Sequence, residues 1–326
     1  MAVKAEVKII ADNSKNNIDK VYETMWEFAH GANPQQDAGI LKSDSIADFD
    51  IIGDNILTYN ELKTAVQVTN LLSEFYDVNA SVLVNNTILC GVALGTSIED
   101  SCQKVIDTDP ISVVNGAIGC SKKVDLSTAE LIYSVSASLI IAPDFDEVAV
   151  QKLLSNPNTK IVKLNTPLNE YSKLPQKDIQ VTPFGIIYQD FNHSQLGKSS
   201  FNIVSKTKPT KEQIEDAVFA WKISKYTNSN SVVISKDFKT SAVVQGFSSS
   251  VNAVEYALDL SCEASKDSIL SSDDIINSVE CIYAAAQGRI STIIQPGGSV
   301  NDTKIIEAAN KYNIVMIFTG IKNYKY

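Results

Sequence analysis

The sequence predicts an α/β fold built on a parallel sheet, and three observations carry that prediction. First, residues 291–295 read as a buried strand through Ile293 and Ile294, and Pro296, Gly297 and Gly298 force a tight turn after it. A helix follows over 301–313, with Ile305, Ile306 and Ala309 near a 3.6-residue period and Ser299 or Asn301 as its cap. A continuous apolar strand at 314–319 completes a strand, turn, helix and strand, the connection of parallel strands. Second, strand, helix and strand recur in similar order in both halves, which suggests two related α/β layers. Third, the chain has 326 residues, long enough for two packed domains.

The elements follow in order. Residues 1–20 read as a lead-in and 21–28 as a helix. Gly31 and Pro34 break residues 30–36 into a loop, and 51–60 form a turn between two extended pieces. Residues 62–75 are an amphipathic helix with Leu62, Val66, Val68, Leu71 and Leu72 on its apolar face. Residues 80–87 read as a strand whose carboxyl end carries Asn85 and Asn86, the position where α/β sheets gather ligands. Residues 88–94 are apolar, and a helix starts at Thr96 with Glu99 completing a capping box. Residues 109–116 form a loop into a strand, Ser127 opens a helix, and 138–143 and 161–164 are strands. Residues 182–189 read as a strand entered through a turn, with a domain boundary near 195–205. Thr210 and Gln213 form a second capping box for a helix over 211–226, with Ile214, Val218, Trp221 and Ile223 inward. A strand at 232–235 and a helix at 251–260 lead to the closing unit.

Composition narrows the function classes. No run of eighteen apolar residues exists, so no membrane span is expected. Charges near the N-terminus replace the apolar run of a signal peptide, which points to the cytoplasm. The five cysteines lack paired spacing and read as reduced, mostly buried thiols, with no metal site. The net charge is −10 and the lysines are spread, which argues against a nucleic-acid surface. Arg289 is the only arginine, and His30 and His193 are the only histidines. Guanidinium clamps on phosphate and imidazole proton shuttles therefore have few candidates. The backbone N–H groups at Gly297 and Gly298, ahead of a helix, can hold a polar or anionic ligand.

Several stretches together resemble one family, the aminoimidazole-carboxamide ribonucleotide (AICAR) formyltransferase domain of the bifunctional purine-biosynthesis enzyme. They are Gly31-Ala-Asn33-Pro34-Gln-Gln36, Leu57-Thr-Tyr59-Asn60, Cys90-Gly91, Asp109-Pro110-Ile-Ser112, Ile140-Ile-Ala-Pro143, Phe219-Ala-Trp-Lys222, residues 225–231, Ile293-Ile-Gln-Pro-Gly-Gly-Ser299 and Phe318-Thr-Gly320. The motifs run collinearly from near residue 20. The resemblance implies two tandem cytidine-deaminase-like subdomains, over 21–198 and 199–326, in a three-layer α/β/α arrangement. It also implies an intertwined homodimer with sites shared between chains, and no cyclohydrolase domain in this sequence. The implied reaction moves a formyl group from 10-formyltetrahydrofolate to the AICAR amine without a metal.

The same resemblance assigns site positions. Asn85 and Asn86 stand where the family has its Lys-His pair, and an amide cannot take a proton. Ala29 and His30 replace an Arg-Tyr pair, Ser250 replaces an arginine, and residues 322–326 replace a terminal Arg-His-Phe-Arg-His. Asn33, Asn115, Ser138, Lys225, Asn230 and Lys322 are the implied contacts to a purine ribotide or analogue. Gln295, Pro296, Gly297 and Gly298 are the implied folate contacts. Two readings stay open. In one, formyl transfer persists, with Lys322 and Lys225 on the phosphate and His30 as proton acceptor. In the other, activity is weak, altered or absent and the chain binds a purine-like metabolite or a protein partner.

Overall fold

The computed structural model describes residues 8–9, 20–21, 24–41, 47–53, 56–171, 173–174, 177–196 and 200–325. Near its start, β1 (Lys8–Ile9) pairs antiparallel with β2 (Lys20–Val21), and β3 (Thr24–Glu27) with β4 (Gly39–Leu41). The rest of the expected lead-in lies outside the described residues. The helix expected over 21–28 is thus overturned by β3. Trp26 and Phe28 recur at a spacing of two and stack at 5.9 Å, so they share one face of an extended chain.

The main body repeats one pattern twice. The first pass begins at the edge strand β5 (Phe49–Ile52), then α1 (Tyr59–Leu72) with a 3₁₀ turn at Ser73–Phe75. The hairpin β6 (Ala80–Asn85) and β7 (Ile88–Leu94) follows, then α2 (Ile98–Thr108), β8 (Ala117–Cys120), α3 (Leu126–Ser134), β9 (Leu139–Ala142), α4 (Glu147–Leu154) and β10 (Lys160–Leu164). The short α5 (Leu168–Tyr171) and a hairpin arm, β11 (Lys177–Thr182) with β12 (Gly185–Asp190), connect to the second pass. That pass runs β13 (Asn202–Ile203), α6 (Lys211–Ser224), β14 (Val232–Lys236), β15 (Lys239–Val244), α7 (Ser250–Ser261), β16 (Ile269–Ser272), α8 (Val279–Gln287), β17 (Thr292–Gln295), α9 (Asp302–Lys311) and β18 (Val315–Phe318).

Both passes join one twelve-stranded sheet in the order β13-β18-β17-β16-β14-β15-β7-β6-β8-β9-β10-β5. Each half reads outward as a hairpin, three parallel strands and an antiparallel edge strand. The halves meet antiparallel where Lys239 pairs with Ala93, so they are related by an approximate two-fold. The expected parallel sheet is therefore mixed, parallel at β8–β10 and β16–β18 and antiparallel at the hairpins. Helices α1 and α6 cover one face in a shared core that includes Val68, Leu72, Trp221 and Ile223. Helices α2–α4 and α7–α9 cover the other face of each half over separate cores. This makes three layers, α/β/α.

Local chemistry explains the boundaries. The Thr58 hydroxyl accepts from Glu61 N and the Glu61 carboxylate accepts from Thr58 N, a capping box that starts α1 three residues before the expected position. The box expected at Thr96 and Glu99 does not form: the cap sits one residue later, with Ser97 Oγ accepting from Asp100 N at 3.1 Å, while the Asp100 carboxylate accepts from Thr96 N at 2.8 Å. Likewise α3 is capped by Asp125, ahead of the expected Ser127. The Thr210–Gln213 box forms as read. Val66, assigned inward, is 43% exposed, because α1 turns its Val68 and Leu72 side to the sheet. Ile214 and Val218 are half-buried rather than inward, because Asp216 and Ala217 face the sheet beside Phe219 and Ala220.

Candidate functional site

The two ends of the sheet differ in what they present. Antiparallel pairing of β6 with β8 sets the carboxyl end of β6 beside the loop that enters β8. Pairing of β14 with β16 sets the amino end of β14 beside the carboxyl end of β16. Asn85, Asn115, Ser138, Asn230 and residues 295–298 therefore line one edge of the same sheet.

In the first half of that edge, Asn85 does not end a parallel strand, contrary to expectation. Asn86 and Thr87, with φ of 50° and 62°, form a two-residue hairpin turn between β6 and β7. Asn tolerates the left-handed backbone that this turn needs, which gives Asn86 a structural reason to be there. The Asn85 amide donates to Ser112 O at 2.8 Å, and Ser112 N donates to Asp109 at 2.9 Å. Asn86 is exposed at the tip. Cys90 is half-buried, and burial pushes its thiol pKa up. Ser138 Oγ donates to Asn115 O at 2.8 Å, so these two residues meet, with the Ser138 hydroxyl bound to backbone.

In the second half, Asn230 N and Nδ2 both donate to Phe247 O, at 3.0 and 2.8 Å. Asp273 is 1% exposed and accepts from Ser229 Oγ and, at 2.7 Å, from Ser231 N. Burial raises its carboxyl pKa against those bonds. The C-terminal tail crosses this end. Asn323 N donates to Asp273 O at 2.9 Å, and the Lys325 and Ser229 backbones are joined through Ser229 N to Lys325 O at 2.7 Å. Lys322 is paired with Asp274 at 3.0 Å. Gln245 ties the two halves of the edge, donating to Leu89 O and accepting from Asn228 N, each at 3.2 Å.

The glycine turn is real but its donors are occupied. Gly297 and Gly298 have φ of 71° and 95°, and a Cβ on Gly297 would lie 2.5 Å from the Phe318 ring. Gly298 N and Ser299 N donate to the Asp302 carboxylate at 2.8 and 3.1 Å, so a side chain of α9 fills the anion position. Gln295 is fully buried and accepts from Ile276 N and Gly297 N, which makes it a brace for the turn. Pro296 is buried as well.

Other expected residues lie off this edge. Asn33 closes its own loop, donating through N and Nδ2 to Gln36 Oε1 at 3.0 Å. His30 sits on the same loop with Nδ1 2.7 Å from Gly31 O, and Phe28 packs edge-on against Tyr59 at the start of α1. Among the described residues, neither His30 nor His193 hydrogen-bonds to the edge. Lys225 is 5% exposed at the end of α6, ion-paired with Glu74, and also donates to Ser194 O at 3.2 Å.

Two groups escaped the sequence reading. Asp273 follows the strand β16, and the strand-end rule that picked out Asn85 would have found it. Glu74 stands between Leu72 and Phe75 on an apolar helix face, a carboxylate where burial demands a partner.

The AICARFT/IMPCHase bienzyme family matches residues 3–260, beginning ahead of the first sequence motif. The chain is 34% identical to the bifunctional purine biosynthesis protein PurH of Caldicellulosiruptor saccharolyticus, over 93% of this chain and 60% of the relative. It is 32% identical to PurH of Acetivibrio thermocellus, over 97% and 62%, and 33% identical to PurH of a Thermoanaerobacter species, over 96% and 62%. The chain thus spans about 60% of the length of these relatives. With the family match covering most of its residues, this chain belongs to the AICARFT/IMPCHase bienzyme family.

Proposed function

We infer that the chain keeps the transformylase scaffold, as two tandem cytidine-deaminase-like units over 21–198 and 199–326, with formyl transfer to AICAR weak, altered or absent. The observation that carries this is at the β6–β7 tip. Asn85 spends its amide on Ser112 O, and its neighbour Asn86 is a turn residue. AICAR's amine is weakly basic and must lose a proton as it attacks the formyl carbon. General base help at such a step contributes roughly 10²–10⁴-fold, and two amides supply none. Lys322 can stand for an arginine on the ribotide phosphate, but Asp274 already neutralises it.

Where transfer survives, the cosubstrate is 10-formyltetrahydrofolate, with no metal in the step. The ligand class is a purine ribotide or analogue, in the cytoplasm. A homodimer accounts for the β11–β12 arm, whose Val181, Phe184 and Ile187 are exposed and need cover. The second reading, a non-catalytic homologue that binds a purine-like metabolite or a protein partner, is favoured by Lys225, which Glu74 withdraws from any phosphate.

The test is incubation of the purified chain with AICAR and 10-formyltetrahydrofolate, with formylated AICAR followed by mass spectrometry. Product near the buffer background supports the reading. Rapid stoichiometric product sinks it.

A further inference from the structure

Behind the sheet edge, on the face covered by α1 and α6, lies a cavity of about 190 Å³. Its walls come from three places: Asn70, Ser73 and Glu74 at the end of α1, Phe191, His193 and Gln195 after the β11–β12 arm, and Lys225 and Tyr226 at the end of α6. The volume holds about six waters at ~30 Å³ each, or one six-membered heterocycle.

The polar inventory is uneven. Glu74 Oε1 accepts from both Lys225 Nζ and, at 2.9 Å, Tyr226 Oη. Among the described residues, Glu74 Oε2 has no partner. Among the described residues, Lys225 uses two of its three N–H groups, on Glu74 and Ser194 O. Asn70 is 8% exposed, and its side-chain amide has no hydrogen-bond partner among the described residues although it lines the cavity. That amide is therefore open to the cavity, with a donor and an acceptor free to meet a guest. His193 and Gln195 are exposed and form the mouth.

These groups define a complementary ligand. The Glu74 and Lys225 charges cancel, so an ionic guest would be left buried and unpaired and a neutral one is favoured. Asn70 offers a donor and an acceptor side by side, the match for a lactam edge with its N–H next to C=O. Glu74 Oε2 is an acceptor for an amino N–H, and the Phe191 and Tyr226 rings add aromatic surface. We propose that this cavity is a binding site for a small neutral planar heterocycle carrying a lactam edge and an exocyclic amino group, recognised by Asn70 and Glu74. The site is distinct from the Asn85 edge and stands whether or not formyl transfer occurs there.

Isothermal titration of the full chain with isocytosine, which has both features, tests it. One saturable site is expected, with uracil, which lacks the amino donor, binding about tenfold or more weakly. Asn70→Leu, which removes the amide and fills its space, should weaken isocytosine by a similar factor. No saturable heat with the folded wild-type chain overturns the proposal. So does equal binding of uracil, which needs no variant, or unchanged binding by a folded Asn70→Leu protein.

Discussion

Asp216 is a carboxylate where burial works against its charge. It lies on α6 with 7% exposure, and burial pushes its carboxyl pKa from 3.8 up to about 6. Hydrogen bonds from Ser235 Oγ, at 2.9 Å, and from the Phe238 and Asp237 backbone only partly oppose the shift. Between those two values the folded chain holds a proton that the unfolded chain has released, so this group's contribution to stability falls as pH rises through the window. At about 1.4 kcal/mol per pH unit, the full loss is up to roughly 3 kcal/mol. Asp216→Asn removes the titration. Urea unfolding of both proteins from pH 4.5 to 7 should therefore show the wild type losing stability relative to the variant as pH rises; parallel curves would refute the assignment. The same scale governs the glycine turn, where Asp302 occupies the slot an external anion would need.

Helix starts are where local sequence acts most directly. Thr58 and Thr210 begin the two helices on the shared face with the same reciprocal box, in matching places of the two halves. Removing the hydroxyl leaves the N3 backbone donor without its partner, so Thr210→Ala should cost about 1 kcal/mol while Thr210→Ser costs much less. Thermal unfolding of the three proteins checks this, and equal midpoints for all would contradict it. The box at Thr210, the strands at 139–142 and 161–164, and the closing unit were legible because a cap, a proline or a glycine pair punctuates an apolar run. The hairpin turns were not. Thr87 and Phe238, with φ of 62° and 57°, adopt the left-handed backbone without the glycine that usually announces it. Nor was β3, whose Met25 and Trp26 also suit a helix. The site was legible only as residue types. That Asn85 bonds Ser112, that Lys225 is buried against Glu74, and that Asp302 fills the glycine turn depend on contacts distant in the chain or on turn geometry.

Across the whole molecule, the approximate two-fold decides which groups can meet. The candidate edge carries the amino ends of β8–β10 in the first half and the carboxyl ends of β16–β18 in the second. Ligand chemistry in α/β sheets favours carboxyl ends, which on this edge means Asp273, the Gln295–Gly298 turn and the tail. The Asn85–Asn86 tip reaches the same edge through its hairpin and the Gln245 bridge. The scaffold thus brings the Asp273 end with its glycine turn and the Asn85–Asn86 tip to one edge, and the tip presents only amides there. The most direct measurement is kcat/KM for AICAR formylation, with tetrahydrofolate release as readout, beside the Caldicellulosiruptor saccharolyticus relative under identical conditions. The account predicts a value lower by about 10²-fold or more. A value within tenfold of the relative would contradict it.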